Sequence, residues 1–153
     1  MLKIFILGAL LFLTAFTPTK PEMVFCEGVK FILQAMNKGE ERNTLRGRTA
    51  HEYIYDSQIA FAGWDLEYIT DGSSGFSFHS TTIKGNEKLA KEKFEEIRTQ
   101  LVRCLNLNRG NAKTDKEDSF SVTIGSIDFK LTFNLGSPVE KSFVEFVILK
   151  SKK

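Results

Sequence analysis

Two cysteines, Cys26 and Cys104, constrain this chain more than any other residues in it. Each sits on the apolar stripe of a segment with helical spacing. Cys26, Val29, Leu33 and Met36 recur over Met23 to Lys38, and Ala90, Phe94, Ile97, Leu101 and Cys104 recur over Glu87 to Asn106. Cys26 falls in the first turn of its helix and Cys104 in the last turn of the other. Antiparallel helices packed side by side bring the two together. Parallel helices hold them roughly 20–30 Å apart at a rise of about 1.5 Å per residue, beyond the Cα separation of about 4.4–6.8 Å that a disulfide allows. A bridge between them therefore dictates topology as well as stability. The alternatives are two unpaired core cysteines, since Cys packs as a small hydrophobe, and a metal pair. The metal reading is poor, because Cys26, His51, His79 and Cys104 show none of the close spacings of a zinc site.

The N-terminus favours the bridge. Lys3 precedes an almost uninterrupted apolar run from Ile4 to Phe16, which is followed by Thr17, Pro18, Thr19, Lys20 and Pro21. One early positive charge and an apolar run too short for the roughly 20 residues of a membrane span form an export signal. Residues 1–19 are read as a signal peptide cut between residues 15 and 20, and residues 20–153 as a single α+β domain. No stable membrane anchor is expected after cleavage. Lipidation is not expected either, because Cys26 follows Met23, Val24 and Phe25 instead of a small residue. The expected destination is the periplasm or the exterior, where disulfides persist.

Between and after the helices the apolar period is two. Tyr53, Tyr55, Ile59 and Phe61 hold odd positions and Trp64, Leu66 and Tyr68 even ones, with the phase slipping near Gly63. A slip of this kind is a β-bulge in one bent strand or a turn between two strands. The bulge is preferred, since two strands between the helices leave them antiparallel and three do not. Asp71-Gly72-Ser73-Ser74-Gly75 reads as a turn before a strand at Gly75 to Ile83, and Asn86 as the N-cap of the second helix. Lys38 to Arg48 reads as a solvated connection in which Glu40 and Glu41 offset the arginines, and Asn111 to Ser119 as a charged loop. Phe120, Val122 and Ile124 alternate, then Ile127 to Leu135 after Gly125-Ser126, then a turn at Gly136-Ser137-Pro138. Phe143 to Leu149 is apolar on both faces except at Glu145, as an inner strand or a covered one would be.

The expected architecture is a two-layer α+β sandwich of order α-β-β-α-β-β-β: an antiparallel sheet with both helices on one face, which an αββ duplication would explain. Asp65, Glu67, Asp128, Lys130 and Thr132 are expected to line the outer face. The export signal, the Cys26 helix, the connection to Gly47, the Ala62-Gly63 bend and Glu92-Lys93-Phe94-Glu95-Glu96 running to Cys104-Leu105 resemble a group of small exported bacterial α+β proteins of unassigned function. The resemblance covers most of residues 22–150 and implies a paired Cys26 and Cys104. This chain lacks the further cysteines that some members carry in their middle strands. No catalytic or ligand residue carries over.

Chemistry is sparse. The formal charge is +2, evenly spread, and 14 of the 18 Phe, Tyr and Trp residues are Phe, so neither a nucleic-acid partner nor base stacking is indicated. His51-Glu52-Tyr53-Ile54-Tyr55 begins like HExxH but lacks the second His, which removes the zinc reading. Gly72-Ser73-Ser74-Gly75 is no nucleophile elbow. Glu40/Glu41 and Glu95/Glu96 lie in charged runs, His79 reads as a polar-face residue, and Lys150-Ser151-Lys152-Lys153 as a frayed tail. No cofactor fingerprint is present and no cofactor is expected. Trp64 and Tyr68 are the ligand-platform candidates, against a reading of both as core. The functional expectation is a non-enzymatic interaction module that binds a protein, an envelope component or itself, through the outer face or the edge near Phe143 to Leu149. The alternatives are a hydrolase whose residues converge only in three dimensions and an inhibitor or immunity-type partner of a toxin.

Overall fold

The computed structural model describes residues 20–108, 111–136 and 141–152. The signal-peptide reading, Ser137 and Pro138 of the expected turn, Gly110 and Lys153 lie outside the described residues. The elements in chain order are β1 (Glu22–Met23), α1 (Phe25–Lys38), α2 (Glu41–Thr44), β2 (Arg46–His51), β3 (Ile54–Ser57), β4 (Ala60–Phe61), β5 (Leu66–Gly72), β6 (Gly75–Ile83), α3 (Glu87–Cys104), β7 (Ala112–Asp115), β8 (Ser119–Ile124), β9 (Ile127–Asn134) and β10 (Phe143–Ser151). The fold is α+β. Its main sheet has eight strands in the order β2-β3-β5-β6-β10-β9-β8-β7, every pair antiparallel. A short parallel pair, β1 with β4, stands apart from it.

Each half of the chain is a helix followed by a four-stranded meander, and the two meanders meet through their last strands, β6 and β10. Each half thus holds more strands of the main sheet than the expected αββ. Four strands of the main sheet separate α1 from α3 instead of two. Both numbers are even, so the two cysteines still meet. The bent strand does not form: the chain turns at Glu52-Tyr53 and again at Ala62-Gly63, where Gly63 takes φ 77° and the Trp64 N–H donates to Phe61 O. The left-handed backbone at Gly63 ends the strand instead of bulging it. β2 and β7 replace parts of the two segments read as loops. Their polar sequences carry no alternation because both are edge strands.

Local chemistry accounts for the helices. Asn86 caps α3 by accepting the Leu89 N–H at 2.9 Å, and Glu87 sits in the positive first turn. In α1 the buried stripe is Phe25, Val29, Ile32 and Met36, rotated slightly from the expected one, so Leu33 is only partly covered. Gly28 lets α1 approach β4, since a Cβ there would stand 2.4 Å from the Phe61 ring. Both helices bury their stripes with the inward residues of β5, β6, β8, β9 and β10 in one cluster that includes Ile69, Phe78, Val122, Phe129 and Phe146. Cys26 and Cys104 stand at disulfide distance, Cα to Cα 5.3 Å, and no free cysteine occurs among the described residues.

At β5 the outcome reverses the expectation. The inward residues are Glu67 and Ile69, while Leu66 is 53% exposed and Tyr68 only half-buried. Glu67, expected on the outer face, is turned inward, where its carboxylate accepts the Phe61 N–H at 3.1 Å and the Lys20 ammonium at 3.0 Å. Those bonds satisfy a buried charge, which hydropathy alone cannot foresee. β10 is an interior strand, bonded on both sides, as the inner-strand reading of Phe143 to Leu149 has it, so the expected docking at a sheet edge there is corrected.

Candidate functional site

The site grows from a two-residue hairpin. β5 and β6 turn at Ser73-Ser74 with Gly72 opposite Gly75, and Gly75 takes φ 143° with its Cα against the β10 backbone, where a Cβ would meet Lys150 O at 2.4 Å. Counting back from this turn sets Tyr68 opposite His79 and Thr70 opposite Ser77. β10 then lies alongside β6 with Val147 opposite His79 and Glu145 opposite Thr81. All these side chains stand on the sheet face away from the helices, because their neighbours Ile69, Phe78, Phe146 and Ile148 occupy the core face.

The groups contact one another. The Tyr68 and His79 rings stack at 4.5 Å with 6° between their planes. His79 Nε2 lies 3.2 Å from Ser77 Oγ and 3.4 Å from Thr70 Oγ1, and the two hydroxyls share a 2.6 Å hydrogen bond. On its other side His79 Nδ1 faces Glu145 Oε1 at 3.6 Å, just beyond hydrogen-bond range, and finds no partner among the described residues. No described group donates a hydrogen bond to the Glu145 carboxylate, whose side chain is 31% exposed. Burial, and then the charge of Glu145, push the Tyr68 phenol above its ordinary value. Leu66, Ile83 and Ile54, all substantially exposed, and the half-buried Phe143, Val147 and Leu149 surround the cluster on the same face.

Carboxylate, imidazole and hydroxyl in sequence invite comparison with a nucleophilic triad. The geometry denies it two requirements. Ser77 is only 7% exposed, and the backbone N–H groups of β5, β6 and β10 are committed to sheet pairing, so no pair of free donors faces the hydroxyl as an oxyanion hole. The described cavities lie elsewhere. One of about 180 Å³ is lined by α3 and β7, where Arg98 is tied to Asp115 at 2.8 Å and to Glu95 at 2.6 Å.

The two platform candidates are not brought together. Tyr68 belongs to the outer cluster, whereas Trp64 packs into the core, stacked on Phe25 at 5.8 Å and close to Phe61 and Phe146. The core reading thus holds for Trp64 and fails for Tyr68. His51 is exposed at the end of edge strand β2. Among the described residues no three His, Cys, Asp or Glu side chains gather as a metal site.

Two charged clusters brace the molecule and correct the reading of solvated runs. Asp71 accepts two hydrogen bonds from Arg42, at 2.7 and 2.8 Å, and one from Arg46 at 2.8 Å. The Arg42 hydrogen bonds, against the opposing effect of burial, hold the Asp71 carboxyl below the usual carboxylate range, and the charges of Arg42, Arg46 and Lys152 add to this. Glu41 is buried and accepts from Lys150 at 3.1 Å, while Lys152 donates to Gly72 O at 2.7 Å. Lys150 and Lys152 are therefore structural and not a frayed tail. Their partners are distant in sequence, so no local pattern signals them.

Sequence patterning reached His79 as a polar-face residue but missed its neighbours. The Gly-Ser-Ser-Gly turn could have found Tyr68 by counting register; Glu145 reaches His79, 66 residues away in sequence, only through the β6–β10 pairing, which no local signal predicts. Comparison of the chain with protein-family models, curated proteins and solved structures finds no match.

Proposed function

We propose that this is an exported, non-enzymatic interaction module, a disulfide-tied two-layer sandwich arisen by duplication of a helix-plus-meander unit, that engages another protein through the outer face of its sheet. The observation that carries the reading is the composition of that face: six apolar side chains, three of them substantially exposed, around the Tyr68-His79-Glu145 cluster. Exposed apolar groups contiguous with a rigid aromatic are the usual make-up of a protein-binding surface. The likeness to small exported bacterial proteins and the N-terminal export signal support an address outside the cytoplasm. No described helix is long and apolar enough to cross a membrane.

The hydrolase reading draws on one observation, His79 between Glu145 and Ser77, and is weakened by the missing oxyanion donors and the buried hydroxyl. The test is affinity capture from the native envelope with the intact protein and with Leu66→Asp/Ile83→Asp, followed by mass spectrometry. A specific protein retained by the first and lost by the second is expected. Capture that is indifferent to the substitutions, or no specific capture at all, overturns the reading. Light scattering separates the version in which the partner is a second copy.

A further inference from the structure

Resting on the reading of the outer face as a docking surface, the charge arrangement there specifies the partner. Across the five strands β3, β5, β6, β10 and β9, the charged side chains on this face are Asp56, Glu145 and Asp128 against Lys130 alone. Asp128 accepts the Thr123 hydroxyl at 2.5 Å. Glu145 is different. It stands near the middle of the face between the half-buried Phe143 and Val147, receives no hydrogen bond from any described group, and faces the His79 Nδ1 at 3.6 Å, with Lys130 diagonally across on β9 and not paired with it. A half-buried carboxylate flanked by apolar groups and lacking a donor is costly in isolation and is compensated by a cation. The stacked Tyr68 and His79 rings beside it offer an aromatic surface of the kind that favours a guanidinium or ammonium.

We propose that the face receives a protein segment presenting an Arg or Lys side chain between apolar residues, with the cation seated on Glu145 beside the Tyr68–His79 stack and the apolar flanks on Leu66, Ile83 and Phe143. A second copy of the chain is a poorer occupant, since it would oppose one carboxylate-rich face to another.

The test uses the intact disulfide-bonded protein labelled with ¹⁵N and two blocked pentapeptides, Leu-Val-Arg-Val-Leu and the same sequence with neutral citrulline in place of Arg. The Arg peptide is expected to shift amides around Tyr68, His79 and Glu145 and to bind at least roughly tenfold more tightly than the citrulline peptide, as a desolvated charge pair does. Glu145→Gln abolishes that difference, while Leu66→Asp weakens both peptides. Equal binding of the two peptides, shifts confined to other surfaces, or no binding by either overturns the proposal. Should Glu145→Gln fail to fold, the comparison of peptides on the unaltered protein still decides. A native partner lost with Leu66→Asp/Ile83→Asp but indifferent to Glu145→Gln would sink this inference and leave the docking face intact, whereas the absence of any face-dependent partner would sink the functional reading itself.

Discussion

Opening the Cys26–Cys104 pair is the perturbation with the largest calculable consequence. The two residues are 78 apart in sequence and 5.3 Å apart at Cα, so the bridge closes a loop over more than half of the described chain. Loop-closure entropy for that length corresponds to about 4.5 kcal/mol at 25 °C, with about 2–4 kcal/mol the usual yield once residual structure in the unfolded chain is allowed for. A domain of ordinary stability holds about 5–15 kcal/mol, so the reduced protein stays folded but becomes marginal. Urea unfolding monitored by Trp64 fluorescence, with and without reductant, should show a lower midpoint in the reduced form. The Cys26→Ala/Cys104→Ala variant should match the reduced protein, because the effect resides in the cross-link and both side chains are only partly buried. The slope against urea should rise on reduction as the freed chain exposes more surface. Coincident oxidised and reduced curves, or two thiols reacting in the purified protein denatured before capping, would refute the argument.

Three further outcomes are expected. Lys150→Met leaves the buried Glu41 carboxylate without its ammonium and should cost about 3 kcal/mol in urea unfolding, most of which Glu41→Leu/Lys150→Met should restore. Asp71 has a folded-state pKa below its unfolded value, so its contribution is complete above about pH 4 and is lost as pH falls through the folded pKa; Asp71→Asn should lower neutral-pH stability by on the order of 1 kcal/mol and flatten that acid limb. Tyr68, raised first by burial and then by Glu145, should give an ultraviolet pH titration component above the ordinary tyrosine range; Tyr68→Phe should delete this late component and Glu145→Gln should move it part of the way back.

Much of the fold is legible in the chain alone. The α3 stripe and its Asn86 cap, the inward sets Phe120/Val122 and Ile127 to Phe133, the interior character of Phe143 to Leu149 and the cysteine pairing all follow from periodicity, capping and loop geometry, which are local or nearly so. Where the reading failed, a non-local partner had overruled a local pattern. Leu66 and Tyr68 look like an inward pair, but Lys20 and the Phe61 N–H satisfy Glu67, which lets the odd-numbered set of β5 face the core instead. Arg42 and Arg46 look solvated until the β5 turn presents Asp71 to them.

The sequence by itself determined the class of the fold, its two long helices, most of its inward-facing residues and the topology that brings the two cysteines together, because hydrophobic period, cap chemistry and chain closure act over a few residues or through a single bond. Only the tertiary structure decided that β6 and β10 lie side by side, and with that the meeting of Tyr68, His79 and Glu145. Pairing between strands more than sixty residues apart is selected by the packing of a whole core, and a side chain's charge partner across such a pairing is written nowhere in its own neighbourhood.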